Sequence, residues 1–247
     1  MRALFLRGLT REIRHWNGFP EKFSRTTGIP VITLDLPGAG KNSHLTSPRD
    51  INSYVEFLRK EILLGEKILL IGISMGGMIA LRWAELYPDE VVGVYAINSS
   101  CKNVSKRRER FNFSEWKSLL NILFAKNVLK KEQLVLKLTT NKLSFNQMKN
   151  ISEYFEQVQK ENPVSKLSSL NQLIAASNFQ IYSCPKVPVT IIYSMGDRLV
   201  SPNCGVKLVE LLQNVGVKIH PDAGHDLPLD DPEWLLAFLQ EATRKLF

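Results

Sequence analysis

Short apolar runs alternate along the chain with longer segments in which apolar residues recur every three or four positions. The runs cover residues 3–6, 31–35, 67–73, 91–98, 189–194 and 217–219. Helical patterns lie between them, near residues 16–27, 50–63, 76–87, 203–213 and 232–246. Residues 31–34 and 189–192 fit strands that are buried on both faces. The alternation predicts an α/β fold with a mostly parallel sheet of about six strands.

The alternation stops between residues 103 and 183, where the pattern is helical only. Four helical stretches fall near residues 114–125, 128–139, 144–161 and 165–178. Ser144 and Gln147 form a capping box at the start of the third stretch, and Pro163 separates the third from the fourth. We therefore expect a core formed by residues 1–100 and 185–247. Residues 101–184 would be inserted as a four-helix cap at the carboxyl edge of the sheet.

A strand, a sharp turn and a helix meet at Gly72-Ile73-Ser74-Met75-Gly76. In that context the G-x-S-x-G pattern predicts a nucleophile elbow, which exposes the serine hydroxyl above the end of a strand. Glycine fits at positions 72 and 76 because the turn brings backbone and side chains close together. The alternative interpretation is a structural serine in a glycine turn.

Three further motifs lie in loops after predicted strands. They are Leu34-Asp35-Leu36-Pro37-Gly38-Ala39-Gly40, Met195-Gly196-Asp197-Arg198-Leu199-Val200-Ser201-Pro202 and Ala223-Gly224-His225-Asp226-Leu227-Pro228. Together with the elbow, they make the chain resemble the α/β-hydrolase superfamily with a helical cap. The resemblance implies Ser74 as nucleophile, His225 as base and Asp197 as the acid that orients the base. It also implies an oxyanion hole formed by the backbone N–H groups of Leu9 and Met75.

Other residues compete for two of these roles. His220, five residues before His225, is the main rival as base, whereas the remaining histidines are interpreted as loop or surface residues: His15 and His44. Asp197 follows a glycine, so its alternative role is that of a turn residue. The superfamily's other acid position holds Asn98 in this chain, which favours Asp197.

The chain departs from the superfamily pattern in two places. Members usually have a strand pair before the first central strand, but only two residues precede it here. We therefore expect a sheet about two strands short of the usual eight. The loop after the first strand usually carries His-Gly, and this chain has Arg7-Gly8. Gly8 still permits the tight turn, while the role of Arg7 stays open.

Composition places the chain among ordinary globular proteins. It has 247 residues, of which 44% are hydrophobic, and three cysteines without metal-ligand spacing. We expect a cytoplasmic protein without disulfides, metal or cofactor, because the first residues do not form a signal peptide. No apolar stretch reaches the 18 residues that a membrane-spanning helix needs.

The net charge of +8 is concentrated in one segment. Residues 101–184 contain 14 Lys or Arg, six Glu and no Asp, so they account for the whole excess. This asymmetry suggests an acidic partner, although a solvated helix face explains it equally well. The candidate docking residues are Arg107, Arg108, Arg110, Lys130, Lys131 and Lys142. No nucleic-acid-binding module is visible, and a membrane surface is a further alternative.

These observations lead to a specific hypothesis about function. We expect a hydrolase of carboxylic esters that works through an acyl-enzyme. In size and four-helix cap the chain is similar to the esterases that demethylate pimeloyl-acyl carrier protein in biotin synthesis, which implies an acyl carrier protein as the acidic partner. The alternatives are a general carboxylesterase, lipase or thioesterase, and a hydrolase fold kept as a binding module. The candidate acyl-pocket residues, which also fit a role in packing the cap, are Trp16, Phe111, Phe113, Trp116, Leu120 and Phe124.

Overall fold

The six predicted strands form one sheet in the computed structural model, which describes residues 1–62, 65–213 and 215–245 but not the side chain of Phe113. The strands are β1 Arg2–Leu6, β2 Val31–Thr33, β3 Ile68–Ile73, β4 Val91–Ile97, β5 Val189–Ser194 and β6 Gly216–His220. Their order in the sheet is β2-β1-β3-β4-β5-β6, and every neighbouring pair is parallel. The predicted α/β fold with a six-stranded parallel sheet is therefore confirmed.

Helices follow the strands and also fill the segment between β4 and β5. Outside that segment they are α1 Phe19–Thr27, α2 Ile51–Glu61, α3 Met75–Leu86, α9 Asn203–Leu212, α10 Leu227–Asp230 and α11 Pro232–Arg244. Within it they are α4 Arg107–Arg110, α5 Trp116–Leu123, α6 Val128–Thr139, α7 Phe145–Glu161 and α8 Lys166–Asn178. The four long helices of the segment, α5 to α8, match the four predicted stretches. The one-turn helices α4 and α10 were not predicted.

Two apolar clusters cover the two faces of the sheet. Side chains of α2, α3 and α9 pack on one face, where Trp83 is fully buried. Side chains of α1 and α11 pack on the other face, around Phe5 and Trp16. The central strand β3 is buried at all six positions. Burial on both faces explains why its sequence is a continuous apolar run rather than an alternating one.

Two predicted element boundaries are wrong, for local reasons. The helix expected over residues 16–27 begins at Phe19, because Asn17 and Gly18 adopt left-handed backbone conformations with φ of 51° and 79°. The strand expected over residues 31–35 ends at Thr33. Asp35 belongs instead to the following loop, where its carboxylate accepts hydrogen bonds from the N–H groups of Ile13 and Lys41 at 2.8 and 2.9 Å.

The sheet order creates a crevice at the carboxyl ends of two neighbouring strands. After β1 the chain crosses to β2 on one side of it, and later elements continue from β3 on the other side. Ligands bind at such a switch point in open α/β sheets. Gly8 and Ser74 follow β1 and β3, so they lie at this crevice. Among the described residues, no helix is both long enough and apolar enough to cross a membrane.

Candidate active site

Ser74 lies between the end of β3 and the start of α3 in a strained conformation. Its φ of 56° and ψ of −118° are rarely adopted by a residue with a side chain. Glycines make the turn feasible, since a Cβ on Gly72 would lie 2.3 Å from the carbonyl oxygen of Gly76, and one on Gly76 would lie 2.1 Å from that of Leu6. The strand, turn and helix thus adopt the geometry of a nucleophile elbow.

His225 lies in the loop after β6 and points its Nδ1 at a carboxylate. The Nδ1 atom is 2.6 Å from Oδ2 of Asp197, and both side chains are buried. The other oxygen of Asp197 accepts hydrogen bonds from the backbone N–H groups of Leu199 and Val200 at 2.8 and 2.9 Å. With Nδ1–H donating to Asp197, the Nε2 atom of His225 is left as the proton acceptor.

Opposing effects set the pKa of His225. Burial alone would lower the pKa of this imidazole, because it disfavours the charged form. The negative charge and hydrogen bond of Asp197, with a smaller contribution from Asp226, outweigh burial and raise the pKa above its usual value. The arrangement therefore stabilises the imidazolium that forms when the histidine takes a proton.

Two backbone N–H groups lie beside Ser74. Met75 is the first residue of α3, where backbone N–H groups have no partner within the helix. Leu9 follows Gly8 in the loop after β1, and a Cβ on Gly8 would lie 3.1 Å from the Cβ of Ser74. In the described part of the chain neither N–H has a hydrogen-bond partner. Both are thus available for an oxyanion.

Arg7, which stands where the superfamily usually has histidine, forms a buried ion pair with Asp226. Its Nη1 and Nη2 atoms donate to the two carboxylate oxygens at 3.1 and 2.6 Å. The guanidinium also lies 4.9 Å from the ring centroid of Trp16. Since Asp226 directly follows His225, the pair fixes the histidine loop against the loop after β1. The sequence showed Arg7 as an anomaly but gave no sign of this partner.

Two cavities of about 290 Å³ each meet at Ser74. The first, called here the histidine cavity, is bordered by the charged or ionisable side chains of Arg7, Arg11, Lys131, Glu132, His225 and Asp226. The second, called here the arginine cavity, is bordered by Arg107 and Arg110 and otherwise by mostly apolar side chains. Leu9 and Phe111 line both cavities. A substrate bound at Ser74 therefore has room on two sides of the reacting atom.

The model of the α/β-hydrolase fold family matches residues 4–232 of this sequence. The chain belongs to the α/β-hydrolase family. No curated protein sequence gives a significant match.

Many solved structures share the fold of this α/β-hydrolase. A candidate non-heme bromoperoxidase, BpoC, from Mycobacterium tuberculosis is 18% identical with a TM-score of 0.79, covering 100% of this chain and 92% of its own. A thermophilic esterase from Thermogutta terrifontis is 18% identical with a TM-score of 0.78, covering 100% and 90%. A bacterial membrane phospholipase A, described as a virulence factor, is 20% identical with a TM-score of 0.77, covering 99% and 79%. At these identities the likeness shows the fold.

Asn98 holds the histidine loop of this α/β-hydrolase-family chain against the sheet. Its side-chain amide donates to the carbonyl oxygen of His225 at 2.8 Å, and its oxygen accepts from the backbone N–H of Ser194 at 2.8 Å. Asn98 occupies the superfamily's alternative acid position, and here it bonds to the histidine backbone. The missing acid is visible in the sequence, whereas the structural role of its replacement is not.

A segment of the cap is hydrogen-bonded to both loops that carry His225 and Asp197. Buried Asp230 accepts from the backbone N–H groups of Gly224, Asn141 and Lys142 at 2.6 to 2.9 Å. The side chain of Asn141 donates to the carbonyl oxygens of Gly196 and Asp222, both at 2.9 Å. The end of α6 therefore supports the histidine and its orienting acid.

The cap also holds the loop that carries Leu9. The side chain of Gln172 in α8 accepts from the N–H of Thr10 at 2.7 Å, and that of Gln159 in α7 donates to the Thr10 carbonyl at 3.1 Å. Arg11 forms an ion pair with buried Glu132 of α6 at 2.6 Å. Three cap helices thus contact the loop that supplies one of the two free N–H groups.

The predicted pocket residues are only partly at the cavities. Phe111 lines both, but Trp16 is buried in the core beside Phe5 and α1. Helix α5 presents Leu119 and Ile122 to the histidine cavity, whereas the predicted pocket residues on α5 and directly after it are 42% to 76% exposed and face outward: Trp116, Leu120 and Phe124. The side of α5 that lines the cavity is therefore not the side that carries the predicted pocket residues. The side chain of Phe113 lies outside the described residues.

The predicted docking cations differ in their surroundings. Lys142 pairs with Asp231 at 2.6 Å and with Asp222 at 3.7 Å, so its charge is already matched within the chain. Arg110 turns inward and, with Arg107, lines the arginine cavity. The remaining three are exposed: Arg108, Lys130 and Lys131.

The rival histidines have other partners. His220 is buried, with its Nε2 atom 3.2 Å from a carboxylate oxygen of Asp231 and its Nδ1 accepting from the N–H of Ala223. His15 is buried against Phe155, and burial lowers its pKa well below the usual value. Exposed His44 lies near the carbonyl of Lys41. Of the four histidines, His225 is the one that lines a cavity with Ser74.

Proposed function

We propose that this α/β-hydrolase cleaves carboxylic esters through an acyl-enzyme on Ser74. The hydroxyl oxygen attacks the ester carbonyl carbon while Nε2 of His225 takes its proton and passes it to the departing alcohol. Asp197 holds the imidazole and stabilises its charged form. The N–H groups of Leu9 and Met75 bind the oxyanion. Water then attacks the acyl-enzyme by the same route in reverse and releases the acid.

One observation carries this proposal. The strained serine of the elbow and a histidine with Nδ1 2.6 Å from a buried carboxylate line the same cavity. A binding module would need neither backbone strain at a serine nor an oriented imidazole, and such strain persists only where the surrounding structure enforces it. These features favour an enzyme over a hydrolase fold kept for binding.

The test replaces the nucleophile and compares it with a nearby serine. Ser74→Ala should reduce hydrolysis of short p-nitrophenyl esters to the background rate, while Ser177→Ala, which alters a hydroxyl at the arginine cavity, should stay within a few fold of the wild type. A fluorophosphonate probe should label the wild-type protein at Ser74. Turnover that persists in folded Ser74→Ala would overturn the assignment of the nucleophile. Absence of labelling and turnover in the folded wild type would favour a binding module.

We propose as the favoured substrate an acyl methyl ester presented by an acyl carrier protein, of the pimeloyl type. The support is electrostatic: residues 101–184 carry the whole excess of eight positive charges, and Arg108, Lys130 and Lys131 are exposed. Complementary charge accelerates encounter with an acidic partner. General esterase, lipase or thioesterase activity on small or lipid-like substrates is the alternative.

Charge reversal separates these alternatives. Arg108→Glu combined with Lys130→Glu, two exposed cations that line neither cavity, should raise KM for a carrier-linked methyl ester about tenfold at low salt, and should leave a p-nitrophenyl ester unchanged. The matched control reverses two exposed lysines outside the segment between β4 and β5, Lys60 at the end of α2 and Lys67 directly before β3. Equal effects on both substrates, or equal effects of both double variants, would argue against docking of a carrier at the cap.

A further inference from the structure

The arginine cavity carries two positive charges and no lining carboxylate among the described residues. Its walls consist mainly of Leu9, Met78, Phe111, Leu173, Leu199 and Val200, and Ser74 also lines it. Arg107 and Arg110 are its only charged lining residues in the described part of the chain. An apolar chamber that contains cations alone has an uncompensated charge, which is costly unless a ligand or solvent supplies the counterion.

Arg110 is held entirely by neutral acceptors. Its Nε atom donates to Oγ of Ser100 at 3.1 Å, and its Nη atoms donate to the carbonyl oxygens of Ser177 and Ala176 at 2.7 and 2.5 Å. The neighbouring carboxylate of Glu109 is paired with Lys207 at 2.8 Å. Burial lowers the pKa of Arg110, but a guanidinium remains charged at any physiological pH. Its charge therefore lacks an anionic partner within the described chain.

The nearby thiols do not supply that partner. Cys101 and Cys204 are both buried close to Arg110. Burial raises the pKa of Cys101 and raises that of Cys204 to about 11. Both are neutral at pH 7.

The histidine cavity differs in this respect. Its Arg7 is paired with Asp226, and its Arg11 is paired with Glu132. The charges of that side are therefore balanced before substrate binds except for that of Lys131, which is exposed to solvent. This contrast indicates that the arginine cavity is the one suited to a negatively charged group.

We propose that the arginine cavity binds an anionic group of the substrate, so that small esters with a free carboxylate or phosphate at the end of an apolar chain are preferred over neutral esters of the same length. Arg107, whose side chain has no ion pair in the described chain and is exposed at the cavity, contacts the anion directly. Arg110 adds charge from the wall. The apolar lining takes the chain between the anion and the ester carbonyl. This inference rests on the proposed ester hydrolysis at Ser74.

The test compares esters that differ only at the far end. On the acyl side, mono-p-nitrophenyl adipate and suberate are compared with p-nitrophenyl hexanoate and octanoate. On the alcohol side, 6-acetoxyhexanoate is compared with hexyl acetate. A matching set ending in phosphate distinguishes a carboxylate site from a phosphate site. We expect the anionic member of at least one pair to have a kcat/KM about tenfold or more higher, through KM.

Variants then assign the preference to the cavity. Arg107→Gln should lower kcat/KM of the anionic esters far more than that of their neutral counterparts and so remove most of the preference, while Arg107→Lys should retain part of it. Arg108→Gln, which removes the neighbouring exposed charge, is the matched control. Arg110→Gln is informative where circular dichroism shows a folded protein, because Arg110 also holds the end of α8.

The outcomes separate the two proposals. Hydrolysis of the neutral esters without a preference for any of the matched anionic esters would overturn the arginine-cavity proposal. It would not affect the proposed ester hydrolysis at Ser74. A preference that Arg107→Gln and Arg108→Gln reduce equally would also overturn it, since that pattern reflects general surface charge. Failure to hydrolyse every ester in the set would contradict the proposed function itself.

Discussion

The ion pair between Arg7 and Asp226 should be a large contributor to the stability of the active site. We predict that Asp226→Asn and Arg7→Met each lower the free energy of unfolding by about 3–5 kcal/mol, because each leaves a buried charge without its partner. The double variant should lose at least about 2 kcal/mol less than the sum of the single losses. The two residues are 5% and 7% exposed, so water solvates either charge poorly once its partner is removed.

The magnitude follows from the geometry. At the shorter separation of 2.6 Å, an attraction of about 6 kcal/mol results with an effective dielectric constant of about 20. Desolvation of both charges offsets much of this in the intact pair, and removal of one partner leaves the cost of burying the other. Arg7→Met should be the more costly change, because it also removes the contact of the guanidinium with Trp16 at 4.9 Å, worth about 0.5–2 kcal/mol.

Urea unfolding followed by far-ultraviolet circular dichroism measures these differences. The comparison requires that the free energy of unfolding depends on urea concentration with the same slope in the wild type, the two single variants and the double variant. The control is an equivalent cycle on Lys245 and Glu241, an exposed pair at 3.0 Å, which should show no measurable coupling. Strictly additive losses for Arg7 and Asp226, or losses as small as those of the control pair, would refute the argument that the buried pair is structurally important.

Two further predictions concern the titration of His225 and the reactivity of the cysteine thiols. Asp197 raises the pKa of His225 above its usual value of 6.5, against the effect of burial. Because only the neutral imidazole accepts a proton, kcat/KM should fall as the pH decreases through this raised pKa. Asp197→Asn should move this limb to lower pH and reduce kcat by about 10⁴-fold; a limb that does not move in a pH–rate profile would contradict the assigned partner. Among the cysteines, exposed Cys184 should react quickly with Ellman's reagent, and buried Cys101 and Cys204 should react only after unfolding. Two fast thiols in the native protein would be inconsistent with this burial.

The fold was predictable because its signals are local. Each strand is a short apolar run, and each helix has a period or a cap that neighbouring residues define. Ser144 caps α7 by accepting from the N–H of Gln147, as the capping box indicated. The errors also have local causes: Asn17 and Gly18 interrupt a helical pattern whose apolar spacing continues through them. The spacing of apolar residues alone does not show where the backbone adopts a left-handed conformation.

The candidate catalytic residues were also predictable, since each lies in a short motif next to a strand end. The arrangement around the substrate was not. In α5, both sides of the helix carry large apolar residues, and the sequence does not show which side faces Ser74. Leu119 and Ile122 face the cavity, while Leu123 and Phe124 are more than 70% exposed. The choice between such sides depends on how α5 packs against the rest of the cap, which is a long-range property.

Position 7 shows why a motif residue has to be interpreted together with its partners. From the sequence alone, the role of arginine in place of histidine stays open. In the structure, both terminal nitrogens of Arg7 bond to Asp226, 219 residues away, and the N–H of Asp226 donates to the carbonyl of Thr139 in the cap at 2.8 Å. The arginine thus links the loop of Leu9, the loop of His225 and the end of α6. A change at position 7 should therefore act through the position and pKa of the histidine as well as through the loop that contains it.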